Sequence, residues 1–277
     1  MIEPIAADAA LLADIGATAG LMDRHVRLWW LGQSGFLVQW RGRHLLLDPY
    51  LSDSLTEKYA ATAKPHVRMT RRAVDPARLD FIDVVTSSHT HTDHLDAGTL
   101  TPLIAANPAV ALVIAEANRD ITVERLRVDP AMPVGLSVGD LVELGGFRIE
   151  AVPAAHETLD PRFVGYVIGC GEWTLYHSGD TLWYEGMPER LRPYAIDVAL
   201  LPINGRAPER RVAGNLWGRE AAELAQAIGA RLVIPCHYDL FEFNTATPDE
   251  FVATCRQLNQ PAIILQQGGG IPIPLAP

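Results

Sequence analysis

The sequence is short of cysteine, of long apolar runs and of basic charge, and each shortage excludes something. Its three cysteines, Cys170, Cys236 and Cys255, are too few and too scattered for a disulfide framework or a thiolate zinc site. They read as small buried apolar side chains, and an odd number suits a reducing compartment. No apolar run approaches the ~20 residues that cross a bilayer; the longest spans about 109–115. With 23 Lys and Arg against 33 Asp and Glu, the formal charge of −10 disfavours nucleic acid and anionic lipid as partners, since both need clustered cations. Residues 1–19 lack the basic start of a secretory signal or presequence, so the expectation is a cytoplasmic protein. Also missing is a Gly-x-Ser-x-Gly elbow. The nearest run, Gly32-Gln33-Ser34-Gly35, falls in an early turn without the strand and helix that would make Ser34 a nucleophile.

What is present is a chain of 277 residues, 48% of them hydrophobic, enough for a substantial core. A helix near the N-terminus precedes three short apolar segments, 26–31, 35–40 and 44–47, whose separating turns predict antiparallel strands. Segment 49–78 is charged and aperiodic, and predicts a long loop beside whatever site the strands build. From residue 81 strands and helices alternate: strand 82–86, helix 97–106, strand 111–115, helix 119–127. Strands 141–143, 147–152, 163–170 and 173–177 come next. Strand 198–203, helix 219–228, strand 232–235, helix 248–258 and strand 262–266 complete the pattern. Two such rounds predict an α/β fold, a four-layer αββα sandwich with helices outside two mixed β-sheets. No linker, low-complexity segment or short repeat divides it; the expectation is one domain over 1–277, with 1–25 as a helical extension.

The chemistry is concentrated in His89-Thr90-His91-Thr92-Asp93-His94, immediately after the strand that ends near Thr86. On an extended strand end, residues two apart point the same way, so His89 and His91 can converge on one ion. Asp93 and His94, where the chain turns toward the next helix, can aim at a second ion close by. Neutral imidazole and carboxylate suit zinc, manganese or iron, and a pair of ions generally needs a bridging carboxylate. Candidates for the remaining ligands are His156, Asp180 and His237, each a polar residue closing an apolar strand. Taken singly, such a residue is more often a turn or satisfied core group. Asp48, before Pro49, is either a turn former or a carboxylate that orients a metal-bound imidazole.

Asp48, the His-x-His-x-Asp-His run, His156, Asp180 and His237 resemble, in order, the five motifs of the metallo-β-lactamase superfamily. That resemblance implies that His89, His91 and His156 hold one metal, that Asp93, His94 and His237 hold the other, and that Asp180 bridges them. It gives Asp93, His94 and Asp180 the catalytic roles. Within the superfamily, Trp29-Trp30-Leu31-Gly32, Leu175-Tyr176-His177-Ser178-Gly179-Asp180, Ile196-Asp197-Val198-Ala199-Leu200 and Val233-Ile234-Pro235 resemble the L-ascorbate-6-phosphate lactonase group over residues 28–252. The third motif, Ala154-Ala155-His156, fits the superfamily at large better than that group.

Two cations sharing a water lower its pKa toward ~7, which supplies hydroxide without a Ser or Cys nucleophile. The expected reaction is hydrolysis of a lactone or ester, extending to a phosphorylated sugar-acid lactone. The alternatives are phosphodiester cleavage of a nucleotide or phospholipid type, an iron-dependent oxygenase, and a binding module without catalysis, which the full ligand set disfavours. A small anionic substrate would be gripped by Asn204, Arg206, Arg210, Arg211 and Tyr238, although the arginine-rich stretch reads equally as a solvated loop. Trp183, Tyr184 and Phe241 either line the pocket or pack as core or lid. His177 alternates away from Asp180 and is left out of the ligand set; His25, His44 and His66 read as surface residues. A homo-oligomer stays open.

Overall fold

The computed structural model describes residues 1–210 and 212–273. Its first strands, β1 (Val26–Gly32), β2 (Gly35–Trp40) and β3 (Arg43–Leu47), form an antiparallel meander. β4 (Val84–Ser87), β5 (Ala111–Ala115) and β6 (Pro133–Leu136) then add in parallel beside β3. The second sheet starts with β7 (Leu141–Leu144), β8 (Phe147–Ala155), β9 (Leu159–Cys170) and β10 (Trp173–His177), all antiparallel, and continues in parallel through β11 (Val198–Pro202) and β12 (Leu232–Cys236). The chain finally returns to the first sheet, where β13 (Gly270–Ile273) pairs with β1. The first sheet therefore has three antiparallel and three parallel pairings, the second three antiparallel and two parallel.

Helices α1 (Asp8–Thr18), α2 (Ser54–Tyr59), α3 (Ala97–Ala106) and α4 (Arg119–Leu126) belong with the first sheet's segments, and α5 (Met187–Leu191), α6 (Gly218–Ala227) and α7 (Asp249–Leu258) with the second's. The period of two along a strand explains the layers. On β1 and β3, Leu28, Trp30, Leu45 and Leu47 join a core with Phe147, Ile149, Tyr166 and Ile168 of the second sheet. Their neighbours Trp29, Leu31 and Leu46 pack instead with Leu11 and Ile15 of α1 and Leu100 and Leu103 of α3. A strand buried on both faces is nearly continuous in apolar residues rather than alternating, as β1 is apart from Arg27. The inter-sheet core continues through Leu224 of α6 and Phe251 of α7, so two mixed sheets lie between helical layers, as the sequence predicts.

Several expectations change. Segment 49–78 contains α2 and a 3-10 turn at Pro76–Arg78. The expected strand 262–266 makes only an isolated bridge, Ala262 to Val233, because the chain leaves the second sheet there and crosses to the first as β13. Neither β6 nor β13 was anticipated; each is four residues with proline and glycine inside. His44 is not at the surface: it is buried, with its ring 3.0 Å from Gln39 Nε2 and packed edgewise on Phe81. The three cysteines are buried and free.

Candidate metal centre

All the motif residues leave the sheets at the same kind of place. β3 and β4 are parallel, and β8, β10 and β12 share one direction, so their C-terminal ends lie along common edges. Asp48 follows β3, the run His89–His94 follows β4, His156 follows β8, Asp180 follows β10 and His237 follows β12. Such carboxyl ends are where loops diverge and sites form. Two of these residues, Asp48 and His237, have positive φ angles of 36° and 61°, and so does Gln33 at 51°. Left-handed non-glycine residues cost on the order of 1–3 kcal/mol each and persist only where surroundings hold them. Here the His237 amide donates to Gln33 O at 2.9 Å, tying the end of β12 to the β1–β2 turn. Gly179, at φ 58°, allows another close approach: a Cβ there would lie 2.7 Å from the Ser88 Cβ.

Asp48 is fully buried and organises the β4 end. Its Oδ1 accepts from Thr86 Oγ1 at 2.9 Å and from the Ser88 amide at 3.1 Å. Its Oδ2 accepts from His94 Nδ1 at 2.8 Å and from the Ser88 hydroxyl. With Nδ1 of His94 donating, Nε2 keeps its lone pair for the cleft. Ser88 Oγ lies 3.1 Å from His89 Nδ1, which fixes that ring in the same sense. His156 Nδ1 donates to Gly214 O at 3.0 Å, again leaving Nε2 free. These contacts occupy both oxygens of the Asp48 carboxylate.

The free atoms converge. Ligand atoms of His89, His91 and His156 lie within 4.8 Å of one another, and so do those of Asp93, His94 and His237. A third such group, His89, His94 and Asp180, joins the two. Asp180 Oδ1 is 3.3 Å from His94 Nε2, while its Oδ2 is 3.1 Å from His237 Nε2 and 3.6 Å from His156 Nε2. Among the described residues, His89 Nε2, His94 Nε2 and Asp180 Oδ1 are buried without a hydrogen-bond partner. Buried polar atoms are normally paired, so three orphans aimed at one cleft, in an imidazole and carboxylate donor set, fit a metal centre.

The electrostatics agree. Burial opposes charge on Asp180 and Asp93, yet the neighbouring His237 and His94 hold both carboxyls well below the usual range. Burial likewise opposes charge on His94 and His237, but the Asp180 and Asp93 carboxylates prevail: His94 is raised, and His237 is pushed up to about 9. On the other side of the cleft, burial and neighbouring imidazoles push His156 down to about 4 and His89 well below its ordinary value. One half of the cluster demands positive charge and the other offers neutral nitrogen.

The cluster floors a cavity of about 510 Å³. Its walls include Lys58 and Tyr59 of α2, His66, Arg125 of α4, and Phe241, Phe243 and Asn244. His66 is not a plain surface residue: it stacks on Tyr59 at 4.2 Å and meets the edges of Phe241 and Phe243. The residues expected to grip substrate lie elsewhere. Arg206 pairs with Glu220 at 2.6 Å. Arg210 donates to Asn204 O and Thr245 O, and Asn204 is buried between Asn215 and Asn244. Tyr238 is buried, stacked on Trp30 at 4.8 Å. None of these four lines the cavity: Asn204 and Arg210 bind the loops after β11 and β12 to each other, Arg206 is engaged with Glu220 of α6, and Tyr238 with Trp30 of β1. Arg211 lies outside the described residues. Phe241 lines the cavity, while Trp183 and Tyr184 do not. His177 donates toward Ser34 O and belongs to none of the three ligand groups. Sequence reasoning missed Gln33, whose Nε2 donates to Asp93 Oδ2 at 2.7 Å and lies 3.1 Å from His237 Nε2. It also missed Phe163, packed 5.5 Å from the rings of His89 and His156. Neither carries a local signal.

A family model described as a beta-lactamase superfamily domain matches residues 43–238. A protein from Pyrobaculum aerophilum named as a metal-dependent hydrolase is 28% identical over 251 residues, covering 89% of this chain and 99% of its own. One from Caldivirga maquilingensis with the same description is 30% identical, covering 81% of this chain and 87% of its own. Among solved structures, a metallo hydrolase from the archaeon Ignicoccus hospitalis superposes with a TM-score of 0.67 at 23% identity, over 91% of this chain and all of the other.

Proposed function

The chain belongs to the metallo-β-lactamase superfamily, and on that premise we propose that it is a metal-dependent hydrolase acting on a lactone or ester. The single observation that carries the reading is the convergence of seven side chains, from four distant stretches of sequence, on one cleft, with His89 Nε2, His94 Nε2 and Asp180 Oδ1 buried there without a partner. His89, His91 and His156 would hold one divalent ion, Asp93, His94 and His237 another, and Asp180 would bridge them. The donor set suits zinc, manganese or iron. When bound, such a pair supplies hydroxide near neutral pH and polarises the scissile carbonyl.

The chain's own residues prepare for that chemistry. Asp48 holds the His94 proton on Nδ1, and Ser88 links His89 to the same carboxylate. Gln33 immobilises Asp93 through Oδ2. Phe163 covers the His89, His91 and His156 rings on their apolar side, which lowers the local dielectric and strengthens every charge interaction there. The rings of Tyr59, His66, Phe241 and Phe243 give an acyl group a flat apolar wall. With Arg206 and Arg210 bound into loops, a phosphorylated sugar acid loses the grip expected for it.

Metal analysis of the purified protein, together with a panel of lactones, aryl esters and a bis-aryl phosphate assayed in Zn²⁺ and Mn²⁺, tests the reading. Metal-dependent turnover of lactones or esters is the expected result. Turnover of the phosphodiester alone would replace it with the phosphodiesterase alternative.

A further inference from the structure

Arg125 is a guanidinium with no carboxylate to answer it. It lies in the last turn of α4, half-buried, and lines the cavity above the histidine cluster. Its Nη1 donates to the backbone oxygens of Thr90 and Leu95, at the two ends of the metal-binding run. Among the described residues, Nη2 and Nε make no hydrogen bond and no carboxylate forms an ion pair with the side chain. Three of the five N–H donors of the guanidinium are thus unused. Arg27, Arg68, Arg119, Arg206 and Arg231, by contrast, each pair with a carboxylate, and what sets Arg125 apart from other arginines without one is its place in the cavity wall above the histidine cluster. Burial disfavours its charge, with only Asp96 as a distant support. A half-desolvated cation with a free planar fork is a geometry that carboxylate and phosphate oxygens satisfy two at a time.

We infer that Arg125 anchors the substrate, and that the substrate is an ester or lactone carrying a second, anionic group, a carboxylate or a phosphate, held by the free edge of this guanidinium. The anchor is rigid because the same side chain is fixed by Thr90 and Leu95, so the distance from anion to reacting carbonyl is set by the loop that carries His89, His91, Asp93 and His94. It selects among substrates by the charge they bear away from the bond that breaks.

This rests on the hydrolase reading above, and the test separates the two. The metal-loaded protein is assayed with para-nitrophenyl acetate against para-nitrophenyl hemisuccinate, and with gluconolactone against phosphogluconolactone. The first pair reads a carboxylate and the second a phosphate. Wild type should prefer the charged member of at least one pair, through KM. Arg125→Gln should remove about ten- to a hundredfold of that preference, read as the ratio of kcat/KM for the charged and neutral members so that any loss common to both through the loop cancels, and Arg125→Lys should restore part of it. Because Arg125 also steadies the metal loop, Arg125→Lys is read by itself if Arg125→Gln loses metal. Equal losses on charged and neutral members, or an unchanged preference, overturn the anchor. Calorimetric titration of the metal-free protein with succinate is independent of turnover: binding that weakens at least tenfold in Arg125→Gln upholds the anchor even if no ester is cleaved, and binding indifferent to the substitution counts against it.

Discussion

The floor of the cavity and its mouth are built on opposite principles. The floor comes from strand ends: Asp48, His89, His94, His156, Asp180 and His237 are buried, and their rings and carboxylates are tied by a network that leaves one set of atoms free. The mouth comes from the short helix α2, the segment around His66 and the turn after Leu240, where Lys58 is exposed and Tyr59, His66 and Phe243 are half-exposed. Its rings meet at 4 to 6 Å, and hydrogen bonds such as Thr56 Oγ1 to His66 O and the Glu242 amide to Val67 O hold the backbone beneath them. A reaction needs atoms fixed to fractions of an ångström. A preference among substrates needs surfaces that can change without disturbing them. The fold separates the two tasks by assigning one to sheets and the other to loops.

Substitutions across this boundary would break or sharpen that contrast. The largest effect is expected in the floor. His91→Ala should lower kcat/KM by roughly a thousandfold or more, the several kcal/mol that a displaced cation represents, with an unchanged far-ultraviolet circular dichroism spectrum; retained activity would remove the site from these residues. Asp48→Asn, one step behind the ligands, should weaken metal affinity about 10- to 100-fold, read by chelator competition, because an amide cannot hold the His94 proton as the carboxylate does. In the mouth, Phe243→Leu should change KM for an aryl ester by no more than about tenfold, from the ~0.5–1.5 kcal/mol of an aromatic contact, with kcat and metal content intact. A loss of metal there would show that mouth and floor are not separable.

The smallest effect divides the floor itself, in the metal-free protein. His156, at about 4, lies below the ordinary value of ~6.5, so the unfolded chain takes up its proton first and stability falls as pH drops from 6.5 toward 4. His237, at about 9, lies above it, so its contribution is present below 6.5 and fades as pH rises through 9. Each can tilt stability by at most ~1.4 kcal/mol per pH unit. A Tm profile of the metal-free protein should therefore decline on both sides, and His237→Asn should flatten the alkaline limb. An alkaline limb indifferent to that substitution would show that the Asp93 and Asp180 carboxylates do not act through His237.

The floor was far more legible in the sequence than the mouth, and the reason is physical. His89 to His94 is a local constellation, and Asp48, His156, Asp180 and His237 each close an apolar strand, so periodicity points to them. The alternating strands and helices likewise implied two mixed sheets between helical layers; they missed β6 and β13, too short and too rich in proline and glycine to show a period, and the short helices α2 and α5, and they placed a strand at 262–266 that is only an isolated bridge. Gln33 gave no signal because its partners, Asp93 and His237, are 60 and 204 residues away. Arg206 and Arg210 looked like substrate donors because they follow a strand, but Glu220 and a set of loop oxygens occupy three of the five N–H groups of each and hold both side chains away from the cavity. Arg125 gives no signal in the sequence, because a cation in the last turn of a helix is ordinary. Whether an arginine is spent or free is decided by neighbours that only the folded chain assembles.

The donors are also divided between the two sheets: the first contributes His89, His91, Asp93 and His94, the second His156, Asp180 and His237. A cation gripped from both sides would act as a clasp across the seam, resisting any scissoring of one sheet over the other. The ions proposed to do the chemistry would then also govern how often the halves breathe apart. Amides along β3, β4, β10 and β12 should exchange with solvent more slowly once the clasp is shut, whether or not a substrate is ever present.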